Sequence, residues 1–536
     1  MSSTPTDCLS PAPAYGLLPG DAFRITTGIT AGQYPDSDAL PQALWYFSNE
    51  TIAIPDHASN AGFNPQLTAQ QDVLQWSRQN PPGTAYDYPT LVWLGAPEVI
   101  EHARLDPQGE HLLTPEGSIK FALVPRLESN RSFYDASSLA FFSQRKLRLR
   151  GQAANGQFTV RSIWPEDFRL DPAAPLKPLA TNADALREFI RSEPQGGAQS
   201  PFATQAIWQR SPQAIAQRAG RPVIALILNG AQGDDDEAHG GHFALVTGRV
   251  GPRGEMHDWL VANYYTLDSK SEKGIIAAQL PLENYLADLN SGQSWYRPST
   301  MLVATLHDER TATHLESALA RVFKHFYRHD FTYRHAGANC AGICLSTLRT
   351  LGWRIPKIGA ISWPQAIFGA PIVALGSASL AKGKAFFDYF SEEQTRLLPA
   401  IAFEQAGEDL LKLVSGKLAR KLKSYEQLLR EDIEEILLVR IPQLPSSRAG
   451  GTFPATSIEE IRRRIPQNPK QRQIIPVAAR PFPKHLKDPD AAKEGPQRSD
   501  YAVAGYSAAL LLLGGWLLCR QWKNRKTPTA GKAHHE

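Results

Sequence analysis

The apolar positions of the first 180 residues come in short runs broken by Pro and Gly, a pattern that predicts strands joined by turns. The runs are LVWLGAPEVI from Leu91, SIKFALVP from Ser118, KLRLRG from Lys146 and FTVRSIW from Phe158. The stretch from Asn182 to Ser192 and the segment from Ala203 to Ala219 read as helices leading into the next unit. From Pro222 the pattern sharpens. VIALILNG is a continuous apolar run of strand length that ends at Gly230. The acidic loop GDDDEAHGG separates it from HFALVTGRV, which the turn GPRGEM joins to HDWLVANYYT. Two β-rich runs around a Pro/Gly turn predict a hairpin.

The period then changes. THLESALARVFKHFY places Leu315, Leu319, Val322, Phe323 and Phe326 at helical spacing. The loop RHDFTYRHAGAN leads to CAGICLSTLRTLGW, where Ile343, Leu348 and Leu351 predict a second helix and Gly352 its end. WPQAIFGAPIVALGSASLA, from Trp363, is apolar but broken by Pro364, Gly369 and Pro371, which suits a buried or interface-lying segment better than a spanning one. Helical patterns follow from about Glu404 to Val439, and residues 442–500, with ten prolines and many charges, read as an extended linker.

YAVAGYSAALLLLGGWLLC, Tyr501 to Cys519, has no charge over 19 positions. At ~1.5 Å per residue such a helix reaches across roughly 30 Å of hydrocarbon. Tyr501, Tyr506, Trp516 and Trp522 fall toward its ends, and Arg520, Lys523, Arg525 and Lys526 stop the run. A transmembrane helix is expected there.

A chain of 536 residues exceeds the size at which one core usually stops growing. The expected fold class is α+β, in six segments: a β-rich N-terminal domain (1–180), a central domain (181–360), a helical extension (361–441), the linker (442–500), the membrane helix (501–519) and a basic tail (520–536). Charge sharpens this division. Residues 442–536 carry 16 Lys and Arg against 7 Asp and Glu, a net +9, while 1–441 carry 41 against 46, a net −5. The basic surplus sits beside the apolar segment, which argues against nucleic acid and for membrane lipids as partner. The N-terminus, MSSTPTDCLSPAPAYGLL, shows no basic stretch followed by an apolar core. A tail-anchored chain with its body in the cytoplasm is the expected arrangement; a periplasmic body is the alternative. Four cysteines, Cys8, Cys340, Cys344 and Cys519, are too few for a disulfide scaffold.

Cys340 is the candidate nucleophile. It stands at the predicted start of a helix, just after Asn339, where unpaired N–H groups and the helix dipole favour a thiolate and could hold an oxyanion. His242, opening a strand, is the candidate base. With the hairpin turning near Pro252–Arg253, His242 lies opposite Asn263 on the face that also carries Ala244, Val246, Val261 and Trp259, so Asn263 can hold the imidazole in its productive tautomer. Asp258 and His257 are the fallback orienting groups.

GGHFALVTG, followed about a hundred residues later by NCAGICLSTL, resembles the permuted papain-like superfamily. That group includes lecithin–retinol acyltransferase, related phospholipid acyltransferases and bacterial cell-wall amidases. In its permuted members a His opens a strand and the nucleophilic Cys opens a later helix. Asn339–Cys340 is similar to the Asn-Cys pair of the phospholipid acyltransferases, several of which carry a C-terminal membrane helix. The resemblance covers residues 221–355 and implies a cysteine hydrolase or acyltransferase without cofactor or metal, acting on an amide, ester or thioester.

The rival reading is a membrane-anchored scaffold in which His325 and His329, four apart, meet Cys340 and Cys344, also four apart, around a structural zinc. The two readings exclude each other at Cys340, because a zinc-bound thiolate is no longer a free nucleophile. The acidic run Asp234–Glu237 with His239 has no metal-ligand spacing and reads as a solvated loop.

Overall fold

VIALILNG and HFALVTGRV form the neighbouring antiparallel strands Pro222–Asn229 and His242–Arg249, buried at nearly every position. Burial of both faces explains why neither run alternates apolar with polar. In the computed structural model the described residues are 12–27, 50–56, 62–125, 132–180, 185–188, 201–211, 218–230, 241–264, 277–327, 333–334 and 336–448. The expected membrane helix, the basic tail and nearly all of the linker lie outside them. No helix among the described residues is long and apolar enough to cross a membrane.

The chain is a mixed α and β fold built on a ten-stranded sheet. In spatial order its strands are Ala203–Gln209, Ile433–Ile441, Ser299–Leu306, Pro222–Asn229, His242–Arg249, Leu260–Asn263, Ala278–Pro281, Val92–Gly95, Thr51–Pro55 and Phe23–Thr27. Neighbours pair antiparallel except at the junction of Ala278–Pro281 with Val92–Gly95, where Gln279 meets Val92 in parallel. Beside this sheet, Glu98–Leu105, His111–Thr114, Gly117–Leu123, Leu147–Ala154 and Gln157–Pro165 close a five-stranded barrel. Arg310–Tyr327 and Pro399–Val414 pack on the neighbouring strands Pro222–Asn229 and His242–Arg249, and Cys340–Leu351 packs on His242–Arg249.

Glu283, on the short helix Leu282–Ala287, joins barrel to sheet. Its buried carboxylate accepts from Arg148 Nε at 2.7 Å and Arg150 Nε at 2.8 Å, both on the barrel strand Leu147–Ala154. The sheet also takes strands from residues 23–95 and 433–441, so it runs across the segment boundaries expected at 180 and 360.

Two helix expectations are corrected. Ala203–Gln209 is an edge strand pairing with Ile433–Ile441, and Ile433–Ile441 is itself an inner strand rather than the end of a helix. IEEILLVRI has no clear period, so only its neighbours decide its state. Glu435 is tolerated inside the sheet because Arg218 Nε and Nη2 each donate to its carboxylate at 2.7 Å. The segment from Trp363 forms a helical hairpin with large apolar side chains turned to solvent.

Candidate active site

The helix Cys340–Leu351 starts where local chemistry puts it. Asn339 is its N-cap, accepting from the Gly342 amide at 2.7 Å, and Gly352 ends it in the left-handed region at φ 112°. Gly342 has a reason of its own: a Cβ there would sit 2.9 Å from the Gly337 carbonyl oxygen. The first turn therefore packs close under the loop and aims Cys340 at the His242 strand. There the Cys340 sulfur meets the backbone N–H of Phe243, the residue after His242, and the Tyr333 hydroxyl.

The hairpin places His242. Observed pairs are Leu245 with Ala262, Val246 with Val261 and Thr247 with Leu260, a register two residues away from the expected one. The turn centres on Gly254, which supplies the positive φ of 91° that the closing loop Gly251–Glu255 requires. A shift of two keeps every side chain on its face. Asn263 then stands diagonal to His242 rather than opposite it, and its Oδ1 lies 2.8 Å from His242 Nε2. An amide oxygen only accepts, so Nε2 carries the proton and Nδ1 carries the lone pair, the tautomer a base needs. Asp258, the fallback, is instead bound by Arg148 Nη2 at 3.0 Å and by His257 at 3.2 Å.

The site is closely packed: Cys340 is 3% exposed, His242 2% and Asn263 1%. Burial pushes the Cys340 thiol above its ordinary value of 9.0, against the backbone, Tyr333 and Arg297 contacts that favour the thiolate. The expected lowering by the helix N-terminus is outweighed. Burial, and then the Arg297 guanidinium, bring His242 down to about 3. At neutral pH the resting pair is thiol and neutral imidazole.

Several polar neighbours were not visible as site residues in the sequence. Arg297, 2% exposed, donates from Nε to Gln293 Oε1 at 3.0 Å, and its buried positive charge disfavours the His242 imidazolium and favours the Cys340 thiolate. Asn229 faces His242 across the ladder, donates to Ser299 Oγ at 2.7 Å and accepts from the Tyr285 hydroxyl. The Tyr285 ring lies 6.1 Å from the imidazole, centre to centre. Tyr333 sits in the FTYRHAGAN loop, so its distance along the chain from Cys340 was the one available signal.

The zinc alternative draws on His329, which lies outside the described residues. His325 Nε2 is 3.2 Å from Asp72 Oδ2, in a buried cluster where Arg321 grips Asp72 from Nη2 at 2.8 Å. Cys344 turns to the backbone of Leu245. Among the described residues no group of three or more His, Cys, Asp or Glu is placed to hold a metal ion. No protein-family model, curated protein or solved structure matches the chain, so the chemistry rests on the site's geometry.

Proposed function

We propose that this chain is a membrane-anchored cysteine hydrolase or acyltransferase with a permuted papain-like centre, acting on an amide, ester or thioester. The single observation that carries the reading is the hydrogen bond of 2.8 Å between His242 Nε2 and Asn263 Oδ1. It fixes the basic nitrogen of an imidazole whose strand neighbour, Phe243, donates its amide to the Cys340 sulfur. The order of strand-borne His, then helix-borne Cys preceded by Asn, supports the same family of folds.

In this mechanism His242 Nδ1 takes the Cys340 thiol proton as sulfur attacks the acyl carbon, forming a carbon–sulfur bond. The negative charge moves to the acyl oxygen, where the amides at the start of the Cys340 helix and the buried Arg297 stabilise it. Collapse breaks the bond to the leaving group, which departs with the proton from His242. The thioester is then released by water, giving hydrolysis, or by an alcohol or amine, giving transfer. The apolar segment 501–519 with Lys and Arg on both sides supports chemistry at a membrane, and a tail-anchored arrangement with the body in the cytoplasm is part of this reading.

An acyl-electrophile activity probe on intact cells tests the reading. Wild type is expected to label and Cys340→Ala to lose the label; equal labelling of the two would reject the thiol-enzyme reading.

A further inference from the structure

Nine large hydrophobic side chains are exposed among the described residues, and six of them, Trp363, Phe368, Ile372, Leu375, Leu380 and Tyr389, fall in one short stretch. That stretch is the helical hairpin made of Gln365–Gly369, Ala370–Gly376 and Leu380–Ser391, whose main contacts are with itself. Its packing is inverted relative to a globular core. The seam between the two arms is made of small residues: a Cβ on Gly383 would lie 2.5 Å from Ala374 Cβ and 2.8 Å from the Ala370 carbonyl, and one on Gly369 would lie 2.5 Å from the Phe386 ring. Close approach of backbones inside, with large apolar side chains outside, is the arrangement helices adopt when lipid is the solvent.

We infer that this hairpin is a second membrane contact, seated in the interfacial layer of one leaflet. Phe368, Ile372 and Leu375 follow at intervals of four and three and make one continuous apolar stripe on the first arm. Residues 358–381 carry no charge, and the exposed Lys357 and Lys382 bound that gap. Both can reach headgroup phosphates while the stripe faces the acyl chains. Trp363 and Tyr389 add amphipathic rings of the kind that prefer the interface. The first arm, Gln365 to Gly376, reaches only about 18 Å at ~1.5 Å per residue, too short to span a bilayer. The hairpin therefore lies in the surface. Lipid is the occupant the charges favour, because the lysines beside the stripe complement an anionic surface and the basic segment 442–536 directs the chain to one.

The hairpin is tied to the body. The segment that follows it, with the short helix Gln394–Leu397, is held where Gln394 N donates to the Ile358 carbonyl at 3.1 Å, where Arg349 Nη2 pairs with Glu393 at 2.7 Å and where Asn339 Nδ2 donates to the Leu397 carbonyl at 2.8 Å. Docking would thus orient the body, with the Asn339–Cys340 end of the helix beside the membrane-facing base.

The test uses the full chain with Cys8→Ser and Cys519→Ser, carrying Ile372→Cys labelled with an environment-sensitive fluorophore. The chain without the Ile372→Cys change sets the background from the buried thiols, and Leu113→Cys, on the barrel surface, reports mere tethering. With phosphatidylcholine–phosphatidylglycerol vesicles, the Ile372→Cys label should blue-shift and lose most of its emission to doxyl-labelled lipid, while the Leu113→Cys label stays open to aqueous iodide. Iodide quenching of the Ile372→Cys label in the presence of vesicles would overturn the inference. So would equal protection without lipid, which assigns the stripe to a second copy or to another part of this chain. Probe labelling of Cys340 in the same samples is independent, so failure of one reading leaves the other standing.

Discussion

At the scale of single residues, the Cys340–His242 pair sets a test by its electrostatics. Burial raises the thiol and lowers the imidazole, so both stay neutral between the two displaced values. Alkylation of Cys340 by iodoacetamide should therefore climb with pH and reach its midpoint above 9, the ordinary value of the group. A plateau already reached near pH 5 would mean a thiolate–imidazolium pair and contradict the neutral resting state. Local signals made much of this site legible. An Asn before a helix start and a Gly after its end mark the Cys340 helix by chemistry confined to a few residues. Strand parity put His242 and Asn263 on one face, and that survived a two-residue error in register because parity repeats every two residues. Arg297 was not legible, since nothing in SWYRPS says that its guanidinium is buried where its charge acts on a thiol from a helix some forty positions away.

At the scale of elements, Glu283 is the most deeply buried carboxylate that the two barrel arginines share at the junction with the sheet. Glu283, 1% exposed, lies between Arg148 and Arg150, themselves 2% and 0% exposed. Removing one partner of such a cluster leaves buried charge uncompensated, at a cost of about 3–5 kcal/mol. Glu283→Gln should lower the urea midpoint accordingly, and an unchanged midpoint would show that Asp258 and Glu101, which also pair with Arg148, already compensate the site. Element type was readable where the period was strong, as in Arg310–Tyr327, and misread where it was weak. Ile433–Ile441 follows the helix Ser424–Asp432 without a break, and only the ladders of Ser299–Leu306 and Ala203–Gln209 on either side make it a strand.

At the scale of the whole molecule, one apolar cluster continues from Trp93 and Phe158 through Leu226 and Leu245 to Leu437. A fragment of residues 181–448 would lose the strands Phe23–Thr27, Thr51–Pro55 and Val92–Gly95 and expose the edge of Ala278–Pro281. It would also leave Glu283 buried without its arginines. We expect this fragment to show no cooperative thermal transition in near-ultraviolet circular dichroism. A sharp transition would establish the central segment as a folding unit of its own.

The sequence alone determined what depends on neighbours in the chain: the capped Cys340 helix, the His242 hairpin and its faces, the apolar run at 501–519 and the separation of basic tail from acidic body. Tertiary structure decided what depends on partners far apart in sequence. It closed the barrel, threaded residues from both ends of the body into one sheet, and surrounded His242 with Asn229, Tyr285 and Arg297. It also turned the apolar stretch after Trp363 outward. The physical reason is the range of the forces involved. Capping, parity and turn geometry act over a few residues, whereas burial of a strand or a charge is settled only when distant segments arrive to cover it.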